Sequence, residues 1–323
     1  MAGQPYVILS AVALAFIAFV AGGLWHRDLE NSRSSATLVR ESAELYQVRS
    51  LISEATRALS SHIEIHPWET PAGIAVCHET VDARRMQRIC NAAPGLCELT
   101  IMSGEIHAGA RAPLISCGQL RKVLLIDVEL SVVNMRHLSA CRGLEFLGME
   151  CCRVTEGGLA ELAKLQNLCV IEFDEMEFTA EQLAALSSIR SLEEMHLHDS
   201  LDEGLNGVEL FEGLTALYVG GSEFDDSAAA RIAQVSSLSH VYLDQSRISD
   251  EGVGVLCEMP QLERLSIGSS VLTNECLFSL RHARKLRYVN LEGSRVTESE
   301  ARSLLETHPE IVVTGSGWSI NGR

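Results

Sequence analysis

Several things are scarce in this sequence, and each shortage removes a class of function. It has ten cysteines in 323 residues, yet no two stand in a CxxC pair, the spacing that a zinc ribbon or a thioredoxin-like redox site needs. No GxSxG, HExxH or P-loop sequence occurs, so there is no nucleophile elbow, zinc-protease helix or phosphate-cradling loop. The chain therefore reads as a non-enzyme with no cofactor and no metal. None of its asparagines lies in an Asn-x-Ser/Thr sequon, which removes one mark of secretion. Basic charge is scarce too: the formal net charge is −17, and residues 96–323 carry 18 Lys+Arg against 34 Asp+Glu. So acidic a surface repels phosphate backbones and speaks against nucleic acid, whereas a basic protein or peptide is drawn to it.

Charge is missing altogether from Tyr6 to Trp25 (YVILSAVALAFIAFVAGGLW), a run of 20 residues. At helical rise that length crosses a hydrocarbon core of about 30 Å. One transmembrane helix is expected over 6–25, giving a single-pass membrane protein. MAGQP lacks the Lys or Arg of a signal-peptide n-region, which favours a retained anchor, while small residues around Ala21 leave cleavage open. Arg27, Arg33 and Arg40 follow the span and none precedes it, so the positive-inside rule leans the large domain towards the cytoplasm.

Residues 32–60 read as an amphipathic juxtamembrane helix. Leu38, Leu45, Val48, Ile52, Ala55 and Leu59 recur at heptad-compatible spacing with charged residues between them. It either forms a homo-oligomer through residues 38–59 or packs on the repeats as a cap. Over 61–95, His66-Pro67-Trp68 and Pro71-Ala72-Gly73 mark an irregular linker, with Met86, Ile89 and Cys90 supplying an N-terminal cap helix.

From residue 96 a repeat takes over. Leucines stand at 96, 120, 144, 168, 192, 214, 238, 262 and 286, each 24 residues from the last except for 22 between Leu192 and Leu214. In all nine units the fourth and sixth residues are apolar, giving LxxLxL. Side chains alternate along a strand, so these two face one way and each unit contributes one strand. An apolar eleventh residue such as Val154, Ile248 or Val296 follows, then a capping type (Thr155, Asp225, Ser249, Thr297), so a helix is expected to start there. Its buried stripe is visible as Leu159, Leu162 and Leu165 in one unit and Val253, Leu256 and Met259 in another. A small ninth residue (Cys152, Ser200, Ser222, Ser246, Ser270, Ser294) is expected to form a polar ladder that satisfies turn backbone groups.

No such unit buries its apolar face alone, so neighbours must stack. The fold expected is α/β: a horseshoe solenoid over 96–309 with a parallel concave sheet and outer helices. It follows the transmembrane helix and closes in a C-terminal cap and tail over 310–323, with a strand at Ile311-Val312-Val313. Nine strands about 4.8 Å apart make a face roughly 40 Å wide. The sequence LSHVYLDQSRISDEG, from Leu238 to Gly252, resembles leucine-rich repeats of the cysteine-containing and ribonuclease-inhibitor-like kind. It is also similar to the short membrane-anchored repeat proteins of planctomycete bacteria. The resemblance covers about two thirds of the chain and implies a binding scaffold; it departs at the short Leu192 unit and at HAGARAPLISCG after Ile106. Most cysteines then fall at core-facing positions as buried thiols, and Cys151-Cys152 reads as structural rather than redox-active.

The fifth and seventh residues of each unit line the opposite, concave face. Glu172, Asp174, His196, His198, Tyr218, Tyr242 and Asp244 occupy its middle, with Asn290 and Glu292 beyond, while Leu124 and Ile126 form an apolar end. These nine polar and aromatic residues are the candidate contacts for a protein or peptide partner. The bland alternative is a solvated sheet face with no ligand, in a structural or oligomerising cell-envelope protein. A metal held by Glu172, Asp174, His196 and His198 is geometrically conceivable but disfavoured, since exposed polar columns produce such groupings by chance.

Overall fold

The LxxLxL pattern produces strands because its fourth and sixth residues lie on one side of an extended chain and cannot stay in water. A computed structural model describes residues 73–77, 95–102, 119–176, 179–198, 205–221, 224–269 and 271–322. Both the expected membrane span at 6–25 and the amphipathic helix at 32–60 lie outside them. Among the described residues no helix is long and apolar enough to cross a membrane.

Each of the nine units supplies one strand, and with one strand before them and two after they form a twelve-stranded sheet. A strand not marked by the leucine period leads: β1 (Gly73–Cys77), then β2 (Glu98–Met102), β3 (Lys122–Ile126) and β5 (Phe146–Glu150). Next come β7 (Val170–Asp174), β8 (Glu194–His198), β9 (Ala216–Gly220), β10 (His240–Asp244), β11 (Arg264–Ile267) and β12 (Tyr288–Leu291). Two more close it, β13 (Val312–Gly315) and β14 (Trp318–Asn321). Pairing is parallel throughout except for the final hairpin, where β14 returns antiparallel to β13. Two expectations change here. Part of the stretch read as irregular linker, Gly73–Cys77, is a sheet strand in register with Glu98–Met102. Part of the expected tail is β14, turned by Gly317 at φ +80. Between the main strands, β4 (Glu129–Leu130) and β6 (Arg153–Val154) form a separate parallel pair.

Every turn uses the same lateral bonds. The carbonyl of the second residue in one unit accepts two backbone N–H groups of the next: Glu145 O takes both Cys169 N and Val170 N, and Thr215 O takes both Ser239 N and His240 N. At the strand ends, Asp127, Cys151, Glu175 and Gln245 hold left-handed φ values of 50 to 57. Such a conformation costs of order 1 kcal/mol for a residue with a Cβ. It aims Asp127 N, Cys151 N and Glu175 N at carbonyls of the next strand, at 2.8 to 2.9 Å. The corner repeats because the ladder bond repeats.

The other side of each unit is less uniform. Helices α1 (Val132–Leu138), α2 (Ala180–Leu186), α3 (Asp226–Ile232), α4 (Asp250–Leu256), α5 (Cys276–Leu280) and α6 (Glu298–Ala301) flank the sheet. The Leu144 and Leu192 units carry only 3₁₀ turns, Leu159–Lys164 and Val208–Leu210, against the expectation of a helix in every unit. Gly157 (φ +76), two residues before the first turn, and Gly207 (φ +98), directly before the second, hold left-handed conformations that break the first helical turn. Leu159, Leu162 and Leu165, spaced by three, are all buried, as one face of a three-residue-per-turn helix requires.

Asp225 and Ser249 cap α3 and α4 as expected. Thr155 caps no helix of its own; its hydroxyl accepts from Val132 N in the preceding unit. Thr297 stands at the cap of α6 without a side-chain cap bond. A stronger lateral device lies one residue further on: Asp226 accepts from both the N–H and hydroxyl of Ser249, and Asp250 from both those of Thr273. Asn274 accepts from Thr297 N in the next step. Of the expected ninth-position ladder, Ser200, Ser222 and Ser270 lie outside the described residues. Ser294 donates to Leu291 O and the Cys152 thiol points at the carbonyls of Leu125 and Glu150, but Ser246 has no partner among the described residues.

The core is one continuous apolar filling between sheet and helices, running from Leu96 to Ile320. Cys141, Cys152, Cys257 and Cys276 are buried, Cys97 and Cys169 half-buried and Cys151 exposed, and none of these seven is in a disulfide. Stacked strand-and-turn units of this kind make the chain a leucine-rich-repeat-like solenoid.

Candidate functional site

Register decides which residues meet on the face turned away from the core. The fifth residues align strand by strand as Glu172, His196, Tyr218, Tyr242, Ser266, Asn290 and Thr314. The seventh align as Glu150, Asp174, His198, Gly220 and Asp244. The 22-residue unit causes no slip: Glu194–His198 pairs residue for residue with Ala216–Gly220.

In the fifth column three rings stack across the sheet. His196 and Tyr218 lie 4.1 Å apart at 10°, and Tyr218 and Tyr242 lie 4.3 Å apart at 2°. Strand spacing of about 4.8 Å brings in-register aromatics into contact with little tilt. Both tyrosines are thereby buried, to 7% and 5% exposure, although a sheet-face position reads as exposed from sequence. Burial raises the pKa of each phenol, so both stay protonated. The Tyr218 hydroxyl is hydrogen-bonded to that of Tyr242, which also takes a bond from the Arg264 guanidinium.

At the other end His196 Nε2 lies 2.6 Å from Glu194 Oε1. Further along, Asn290 donates to Ser266 Oγ at 3.1 Å and accepts from the Thr314 hydroxyl at 2.9 Å. An ordered polar chain therefore crosses β8 to β13.

Glu194, Arg264 and His240 belong to the third column, which the sequence reading left out. Period two was the available signal, since a third residue faces the same way as a fifth and a seventh. His240 is held below the ordinary imidazole pKa, first by burial and then by Arg264. In the N-terminal half of the face apolar residues, Phe146 and Val170 in the third column and Leu124 in the fifth, stand among the charged Glu98, Lys122 and Glu172. Lys122 Nζ sits 4.4 Å above the Phe146 ring, and Leu124 occupies the space over Gly148, where a Cβ would meet Leu124 Cδ1 at 2.6 Å.

The two histidines that could have shared a metal point to different partners. His198 covers Gly220 on the next strand, where a Cβ would come within 2.9 Å of its Nδ1. Its ring centroid is 6.3 Å from that of His196, which is engaged by Glu194 and Tyr218. Among the described residues no group of three His, Cys, Asp or Glu is placed to hold a metal ion. Burial, helped by His196, lowers the His198 pKa to about 4, leaving a neutral imidazole at physiological pH. Glu292 is also partly buried, which raises its carboxyl pKa. Cys151, next to this face, has its thiol pushed up to about 12 by burial, by the Glu175 carboxylate 3.2 Å away, and by Glu150 and Asp174. A thiol so suppressed is a poor nucleophile.

No family model and no curated protein matches the chain. Among the solved structures that resemble it are two internalins of Listeria monocytogenes. One, inlF, is 17% identical over 75% of this chain and 86% of its own, with a TM-score of 0.43. The other, inlC2, is 14% identical over 58% of this chain and 76% of its own, with a TM-score of 0.42.

Proposed function

We propose that this chain is a protein-interaction scaffold without catalytic activity, binding a protein or peptide on the sheet face turned away from its core. The observation that carries the reading is the ordered column from Glu194 through His196, Tyr218 and Tyr242 to Arg264. It lies outside the core, and it holds aromatic and charged groups in fixed positions before any partner arrives. Preorganised Tyr and Arg groups lose little entropy on binding and dominate interface energetics. Glu172, Asp174, His198, Asn290 and Glu292 are half-buried around it and offer the accessible contacts, with Asp244 placed by register. The uncharged run at 6–25 supports a membrane tether, which makes this a single-pass scaffold. The repeat sequence favours the cysteine-containing type seen in membrane-anchored planctomycete proteins.

A second reading has its own support. Tyr218 and Tyr242 spend their ring faces on each other and on His196, as they would if the column only tied repeats together in a structural, oligomerising protein. A crosslinking pulldown from membranes separates the two, comparing wild type with an Asp174→Lys/Asp244→Lys variant of the full chain. A partner lost only in the variant supports the scaffold; self-crosslinks through residues 38–59, unchanged by the variant, support the structural array.

A further inference from the structure

The sheet is left open at its C-terminal end. Among the described residues its strand order stops at β14, with no strand beyond it. Gly322 N bonds to Ile311 O, which makes those two a hydrogen-bonded antiparallel pair. Bonded and unbonded pairs alternate, so Ile320 and Trp318 turn their main-chain groups to β13, while Ser319 and Asn321 turn theirs outward. The far side of β13 agrees, since Val312 N is taken by Arg287 O, towards β12. We propose that this edge pairs with the same edge of a second copy of the chain, joining two sheets antiparallel about a two-fold axis at Ile320.

Charge argues for a copy of the chain as the occupant. From Ile311 to Gly322 there is neither an ionisable side chain nor a proline, in a region, residues 96–323, that carries 34 Asp+Glu against 18 Lys+Arg. Exposed edge strands are ordinarily guarded by charged side chains or Pro, and this one has neither. Two copies repel across their acidic surfaces; here they approach with no like charges opposed on the strands. The side chains leave the edge clear as well. Ile320 is buried in the core, and the Trp318 ring folds back over Gly315, filling the space where a Cβ would stand. Ser319 and Asn321 are exposed, on the side of the sheet that carries Thr314.

The two outward residues fix the register. Ser319 of one copy stands opposite Asn321 of the other, each exchanging N–H and C=O, so the pair makes four main-chain bonds. Such an interface is isologous, the same two residues serving on both sides. Its axis runs through the sheet, which leaves both open faces on one side as a single surface. A contact this narrow makes a reversible, concentration-dependent pair. It uses none of the open-face contacts named above and stands or falls apart from them.

The test is disulfide trapping of the purified full-length chain, oxidised with copper phenanthroline and run on a non-reducing gel. In Ser319→Cys/Asn321→Cys the two positions oppose each other between copies with Cα atoms about 5.5 Å apart, within disulfide reach. The expected result is a dimer band well above the wild-type background, with positions 319 and 321 of different copies linked in its peptide map. Either single variant should give little, because a position meets its own equivalent only diagonally, about 7–8 Å away. Sedimentation then reads the effect of charge. Ser319→Lys/Asn321→Lys should weaken dimerisation about tenfold at an unchanged melting midpoint, whereas Ser319→Lys/Asn321→Glu, which opposes unlike charges in the same register, should retain it. No trapped dimer above background, equal trapping by the single variants, or equal dimerisation of the Lys/Lys protein overturns the proposal. So does self-association whose only crosslinks lie in residues 38–59.

Discussion

The two faces of the sheet obey different rules. On the core side the fourth and sixth residues are apolar in every unit, and any side chain of suitable volume serves: Leu, Ile, Val, Met and Phe alternate freely and are all buried. On the open side each residue is fixed by its lateral neighbour, as Tyr218 is by His196 on one flank and Tyr242 on the other. A core built on apolar area tolerates substitution and repeats visibly, whereas a surface built on specific pairs does not repeat at all. On the proposed reading, the core face carries the fold and the open face carries the recognition.

Breaking the core side should have the largest effect. Leu243 is fully buried in β10, and Leu243→Asp places a carboxylate there at a cost of roughly 4 kcal/mol or more, so thermal unfolding should lose its cooperative transition around β9 to β11. A normal melt would mean that the repeat phase is wrong. On the open face, Tyr218→Ala removes the middle ring of the stack and should cost about 2–4 kcal/mol, against about 1 for Tyr218→Phe, which keeps the ring and loses the hydroxyl bond. Equal denaturation midpoints for the two variants would show that ring stacking contributes little.

The lateral clamps come next. Asp250→Ala leaves the N–H and hydroxyl of Thr273 without their acceptor and should cost about 1–3 kcal/mol, measurable by chemical denaturation. The smallest effect is tied to pH. The His198 pKa is depressed from 6.5 to about 4 in the fold, so between those values the unfolded chain carries a proton that the folded chain refuses. Stability should therefore fall as pH drops through that window, by about 1–2 kcal/mol once its partial exposure is discounted. His198→Gln should remove this share of the slope; an unchanged pH profile would place the proton elsewhere.

The strands were legible because LxxLxL repeats at a fixed phase, and even the short Leu192 unit keeps register. Helices were less legible. Gly157 and Gly207 replace regular α-helix with 3₁₀ turns through backbone conformation, which a pattern of apolar residues does not record. The hairpin at Trp318–Asn321 and the strand at Gly73–Cys77 lack the leucine period and are set by edge pairing alone. On the open face the fifth and seventh columns could be written down from sequence, but the burial of Tyr218 and Tyr242 could not. That burial depends on three rings, 22 and 24 residues apart, landing in register. Glu194 and Arg264 were missed because the strand was read from its fourth residue when the third already faces outward.

Site-specific photocrosslinking tests the claim that the open face is where this protein meets its partner. A photoreactive residue would replace Glu172 on the open face and, in a second protein, the exposed Glu258 on the helix side, each in the full chain expressed in cells. The account predicts a discrete protein adduct from position 172 and none from 258. An adduct from 258 with none from 172 would contradict it and move recognition to the other side of the solenoid.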